Sequence, residues 1–193
     1  MPSNFRLPVI IGVGAIVAIS CFAVYTMLYP KEVAEHVELG SIRNYVAAKE
    51  KKSVPDVHFL DATGKDTTLQ RFRGKVVVLN LWATWCTPCV AEMPALDRLQ
   101  QKLGGEDVVV VALSIDRGGV DVVREFYDRV GVKHLPIFVD PTMRAQSDFS
   151  VFGLPTTIIV DREGIERGRL LGPAEWDKTD ALEIVQAALS PPK

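Results

Sequence analysis

Residues 75–103 read as a buried strand running straight into a helix, and that junction constrains the fold more than any other stretch of the chain. "KVVVLNLWA" (75–83) is an apolar run rich in β-branched residues and bounded by Gly74. It lacks the alternation of a half-exposed strand, so it needs neighbours on both edges and cover on both faces. A helix is expected to follow over Thr87–Leu103, closed by Gly104-Gly105. Two of the chain's three cysteines, Cys86 and Cys89, sit where one element becomes the other.

The rest of the chain supplies the cover. "VHFLDATGKDTTL" reads as two short extended stretches around a Thr63-Gly64 turn. "DVVVVALSID" is a second buried strand and "LPIFVD" a third. Between them Val122, Val123, Phe126 and Val130 recur at helical spacing before Gly131. A short helix is expected over Arg144–Phe149. "TTIIVDREGIERGRLLG" reads as a hairpin turning at Glu163-Gly164, and "DALEIVQAAL" as a closing amphipathic helix. Strands alternating with helices, followed by a hairpin, give an α/β domain with a mixed central sheet flanked by helices. The domain is expected to span 55–190.

A Cys-x-x-Cys pair can be redox-active, half of a zinc site, or a structural crosslink. A zinc site needs four ligands, and the chain has no second such pair and no paired histidines at zinc spacing. His58 and His134 are isolated and read as surface or packing residues. A structural disulfide across so short a loop gains little. Redox chemistry fits the position. Unpaired N–H groups at a helix start carry partial positive charge and favour a thiolate. Cys86 is therefore the expected nucleophile, with a lowered pKa, and Cys89 the resolving thiol one turn deeper. Pro88 suits the first turn, where its missing N–H is no loss.

"NLWATWCTPCVAEMPAL", then "VVVVALSID", then "VFGLPTTIIVDREG" resemble, in order, the thioredoxin superfamily, and within it the membrane-anchored TlpA/ResA-type thiol–disulfide oxidoreductases, TlpA above all. The resemblance covers about 55–189. It implies a thioredoxin-like fold and a periplasmic reductant whose redox group is the Cys86–Cys89 pair itself. It implies recharging by a membrane protein of the CcdA or DsbD kind, and targets among copper-handling proteins of cytochrome oxidase assembly or apocytochrome c. Pro155 matches the cis-proline facing the active site, which presents the Leu154 backbone to a substrate strand. Glu92 matches an acidic residue three positions beyond the second cysteine. It lies on the same helix face as Cys89 and is placed to accept that thiol's proton; the alternative is a solvated helix glutamate. Trp85, Thr87, Pro88 and Leu154 are the expected substrate-contacting residues. Trp82 is expected in the core, Trp176 in packing or at a partner site, and Pro94 as a kink.

Two departures from related patterns narrow the reading. Thioredoxin keeps an aspartate six residues before its first cysteine, where this chain has Asn80. The Gly-Val-x-Gly-x-Pro-Glu pattern of the cytochrome c maturation branch is replaced by Phe152-Gly153-Leu154-Pro155-Thr156. Direction of electron flow stays open, because Thr87-Pro88 between the cysteines does not decide a reduction potential. A dithiol oxidant is therefore one alternative, and a non-enzymatic copper chaperone, from a different class, is the other. A non-enzymatic copper chaperone of the Sco kind spaces its cysteines by three residues, and a peroxiredoxin needs Pro-x-x-x-Thr-x-x-Cys; neither pattern is present.

Val9–Leu28 contains no charged residue. As a helix it would be roughly 30 Å long, enough to span a bilayer core. Residues 9–29 are expected to be a transmembrane anchor after a short tail (1–8), with Tyr25 and Tyr29 at the interface. A cleaved signal peptide, or a lipoprotein signal ending at Cys21, is the competing reading. Arg6 and Lys31 flank the run almost evenly, so charge does not orient it. Residues 30–54 read as a linker with room for a loose helix. The whole chain carries 22 basic and 24 acidic residues, a net charge of −2. That balance argues against nucleic-acid binding.

Overall fold

The computed structural model describes residues 42–190. The expected anchor at 9–29 and its preceding tail lie outside the described residues. Among those that are described, no helix is long and apolar enough to cross a membrane.

Eight strands form one mixed sheet: β1 (Tyr45–Ala47), β2 (His58–Asp61), β3 (Asp66–Thr68), β4 (Val76–Trp82), β5 (Val108–Ser114), β6 (Phe138–Val139), β7 (Thr156–Val160) and β8 (Glu166–Leu171). Their order across the sheet is β1-β8-β7-β4-β5-β6-β2-β3. β4 pairs parallel with β5 and antiparallel with β7, so it is central. The helices are α1 (Thr87–Leu103), α2 (Gly119–Val130), α3 (Arg144–Asp148) and α4 (Thr179–Ala187). The β7–β8 hairpin and α1 have the bounds expected from the sequence.

All seven residues of β4 are buried, and the strand divides them between two cores by its two-residue period. Val76, Val78 and Trp82 face a cluster completed by Met93, Leu96 and Leu99 of α1, Phe126 of α2 and Val185 of α4. Val77, Leu79 and Leu81 face a second cluster with Phe72, Phe138, Phe149 and Ile158. Asn80 shares its parity with Val78 and Trp82, so a polar side chain enters the α1 side of the sheet at the level of the cysteines. The αL residue that ends α2 is Gly131 (φ 77°), whose N–H returns to the Tyr127 carbonyl.

One boundary differs from the expectation. The domain begins before Pro55, because Tyr45–Ala47 pairs antiparallel with β8 at the sheet edge. Ile42 is buried ahead of it, and Ser53 bridges Ile165 behind it. β8 would otherwise be a bare edge. Gly168 makes the close approach possible, since a Cβ there would collide with the Tyr45 hydroxyl. A three-residue strand among lysines and glutamates carries almost no periodic signal, so its sequence resembles a linker.

His58 and His134 are each held by one carboxylate rather than by a cluster of ligands. His58 Nδ1 lies 2.7 Å from Asp66 on the surface. His134 Nδ1 lies 2.9 Å from Asp97, which also accepts the backbone N–H groups of Lys133, His134 and Leu135. Asp97 thereby fastens the segment after α2 to α1.

Candidate active site

Cys86 is the N-cap of α1, and its carbonyl accepts the first helical hydrogen bond, from Val90 N–H at 3.0 Å. Cys86 and Cys89 are joined as a disulfide. The buried strand fixes where β4 stops, and the proline in the first turn fixes where α1 starts. The pair is thus pinned between two rigid elements. Cys86 is 7% exposed and Cys89 is fully buried, so the outer sulfur is the one a partner can reach.

The approach to Cys86 is made of residues without charge. Thr87 and Pro88 are beside it in the first turn of α1, and Trp85 is 65% exposed. Leu81 pairs with Thr156, so the chain leaving β4 and the chain entering β7 emerge at the same end of the sheet. This brings Leu154-Pro155 to the cysteine end, with Leu154 half-buried and Pro155 buried. Leu154 packs against the cluster that holds both cysteines. The Leu154–Pro155 peptide is cis. Trp85, Cys86, Thr87, Pro88, Cys89, Leu154 and Pro155 therefore gather at one end of the sheet.

The segment before Cys86 is held by a residue that the sequence pattern did not single out. Asp116, just past β5, accepts hydrogen bonds from Thr84 N–H, Thr84 Oγ1 and Ser114 Oγ, each at 2.8 Å. Its position at the end of the strand parallel to β4 is the only signal that marked it.

Beneath the cysteines lies a buried polar pocket. Glu92 is 3% exposed, which excludes the solvated alternative. Its Oε1 accepts from Asn80 Nδ2 at 2.8 Å. Its Oε2 accepts from Ala174 N–H and from Trp176 Nε1, both at 3.0 Å. Asn80 Nδ2 also donates to Thr157 Oγ1 at 2.9 Å, while Asn80 Oδ1 has no partner among the described residues. Burial raises the Glu92 carboxyl to about 7, against the downward pull of its hydrogen bonds to Ala174, Asn80 and Trp176. A buried carboxyl that titrates near neutrality, one helical turn from Cys89, can exchange a proton with a thiol under physiological conditions. Trp176 is buried as expected for packing, but its indole N–H also serves this pocket. Trp82 is fully buried and stacks on Tyr127.

Comparisons with known proteins agree with this geometry. Residues 49–185 match the Redoxin family model. The thiol-disulfide oxidoreductase ResA of Bacillus thuringiensis is 32% identical over 134 residues, covering 67% of this chain and 76% of ResA. The thioredoxin-like protein YneN of Bacillus subtilis is 36% identical over 121 residues, covering 62% of this chain and 70% of YneN. A DsbE-type thiol:disulfide interchange protein from Chlorobium tepidum superposes with a TM-score of 0.66 at 27% identity, covering 75% of this chain and all of that one. The chain belongs to the Redoxin family, and within it to the ResA/TlpA type of thiol–disulfide oxidoreductases of the thioredoxin superfamily.

Proposed function

We propose that the protein is a membrane-anchored, extracytoplasmic reductant of protein disulfides, with 9–29 as its anchor and the catalytic domain on the periplasmic side. Cys86 thiolate attacks a substrate disulfide, forming a mixed disulfide and releasing one substrate thiolate. Cys89 then loses its proton to the Glu92 carboxylate and attacks the Cys86 sulfur. The mixed bond breaks, the second substrate thiolate leaves and takes a proton from water, and the Cys86–Cys89 disulfide forms. Two electrons have passed to the substrate. A membrane dithiol donor of the CcdA or DsbD kind would restore the pair.

The observation that carries the thiol chemistry in this reading is the buried Glu92 pocket. Cys89 has no solvent of its own to receive its proton, and Glu92 is the ionisable group at its level on the same helix face. The apolar approach by Trp85 and Leu154, with Thr87 and Pro88 at its rim, suits an extended protein segment more than a charged small molecule. Copper-handling proteins of oxidase assembly are the proposed targets, ahead of apocytochrome c, because Phe152-Gly153-Leu154-Pro155-Thr156 departs from the cytochrome c maturation pattern.

Equilibration of the Cys86–Cys89 pair with glutathione tests the direction. A reductant is expected below about −200 mV. A potential well above that value would make the protein an oxidant and overturn the proposal.

A further inference from the structure

We propose that Trp176 is a positioning residue for the thiol chemistry: its indole N–H, delivered by the segment that follows β8, holds Glu92 as the proton acceptor for Cys89. This rests on the role given to Glu92 above and extends it to the element that holds it.

Packing alone does not account for Trp176. A buried indole needs no particular neighbour for its ring, and the Trp82 N–H in the same core has no partner among the described residues. The Trp176 N–H instead lies 3.0 Å from Glu92 Oε2, the oxygen that also receives Ala174 N–H. Two donors two residues apart converge on one atom. The segment that carries them is tied down at both ends. Gly172 N–H donates to the Pro155 carbonyl at 2.9 Å, beside the active site. Asp177 pairs with Arg98 of α1 at 2.8 Å. Residues 172–177 thus form a strap from Pro155 to α1, closing over Glu92 on the way. Both donors favour the carboxylate over the acid, because an N–H gains more from a charged acceptor than from a neutral one.

Trp176→Phe keeps an aromatic ring and removes the donor. Losing one donor to the charged form is expected to move the Glu92 midpoint up by about one unit. At pH 7 this reduces the carboxylate fraction about fivefold, and at pH 9 hardly at all. The reduced protein is expected to react with dithionitrobenzoate in two phases, each releasing one aromatic thiolate. The first is attack by Cys86 and the second is resolution by Cys89. The expected result is an unchanged first phase and a second phase slowed about fivefold at pH 7, recovering by pH 9. In the Glu92→Gln background, Trp176→Phe should add nothing further.

Equal slowing at all pH values, or equal slowing in the Glu92→Gln background, would overturn the inference. A normal second phase in Glu92→Gln would instead remove the role of Glu92 itself. A slow second phase in Glu92→Gln with a normal one in Trp176→Phe would remove Trp176 alone. The ¹⁵N-indole resonance of Trp176 in the unsubstituted protein gives a reading independent of folding of the variant. It should titrate with Glu92, and a pH-invariant resonance across the neutral range would refute the contact.

Discussion

Replacing Glu92 by glutamine is expected to remove the loss of stability that this carboxyl contributes to the oxidised protein as pH rises. In the fold, burial raises this carboxyl from an ordinary 4.5 to about 7. The folded state therefore holds a proton that the unfolded chain has released. A raised acid contributes stability at low pH and loses it as pH climbs from the unfolded value through the folded one. Each unit of difference corresponds to about 1.4 kcal/mol. Keeping Glu92 in its pocket, relative to a neutral group, thus costs roughly 1 kcal/mol at about pH 5 and roughly 3 kcal/mol at about pH 8. The wild-type protein should lose about 2 kcal/mol over that interval through this residue alone.

The glutamine side chain of Glu92→Gln has the same shape and does not titrate. Its oxygen can take the donors from Ala174 and Trp176, while its NH₂ faces Asn80. There the amide need only turn to offer Oδ1, which has no partner among the described residues of the wild-type pocket. The measurement is urea unfolding of both proteins in the oxidised state, at intervals from about pH 5 to about pH 8, so that the cysteines do not titrate. Subtracting the two curves cancels every other ionisable group. The difference should grow in favour of the variant as pH rises from 4.5, levelling off above about 7. A difference that stays level across the range would refute both the burial argument and the assignment of Glu92 as a near-neutral acid.

Asp116→Ala should lower stability by about 2 kcal/mol, read as a shift in the urea midpoint, because it leaves the half-buried Thr84 N–H and two hydroxyls without their acceptor. Asp116→Asn should recover part of that loss. Cys89→Ser should stall the reaction at the mixed disulfide, so that protein isolated from cells carries a partner on Cys86 that dithiothreitol releases. A reactive Cys86 that captures no partner would argue against a dedicated protein substrate.

The parts of the site that were legible in the sequence are those fixed locally. The unalternating run 75–83 announces a strand covered on both faces. Pro88 announces a first helical turn, and the cysteines fall between them. Glu92 could be placed on the face of Cys89 by counting three residues along a helix. The distant members of the pocket, Thr157 beside Asn80 and Trp176 beside Glu92, could not. Thr157 and Trp176 are 77 and 84 residues from the groups they bond, and only the pairing of β7 with β4 and the closure of the 172–177 strap bring them in. The strand at 45–47 was illegible for a related reason: three residues at an edge are stabilised by the strand they meet, and their own composition says little.

Asn80 joins these two levels. An aspartate at this position would lie within hydrogen-bond reach of Glu92, and two carboxylates that close cannot both ionise near neutral pH. An amide avoids that conflict. It donates to Glu92 in the ionised state, and by turning it can accept from the protonated one, so either charge state finds a partner in a pocket closed to water. The acid of this pocket thus stands on the helix, and the strand carries a residue able to serve both its forms. Asn80→Asp tests this directly. The two carboxyls should then titrate as a coupled pair, with one midpoint well above that of Glu92 in the wild-type protein and the second phase with dithionitrobenzoate displaced to higher pH. A second phase with an unaltered pH profile would show that Asn80 and Glu92 do not share a proton-bearing pocket.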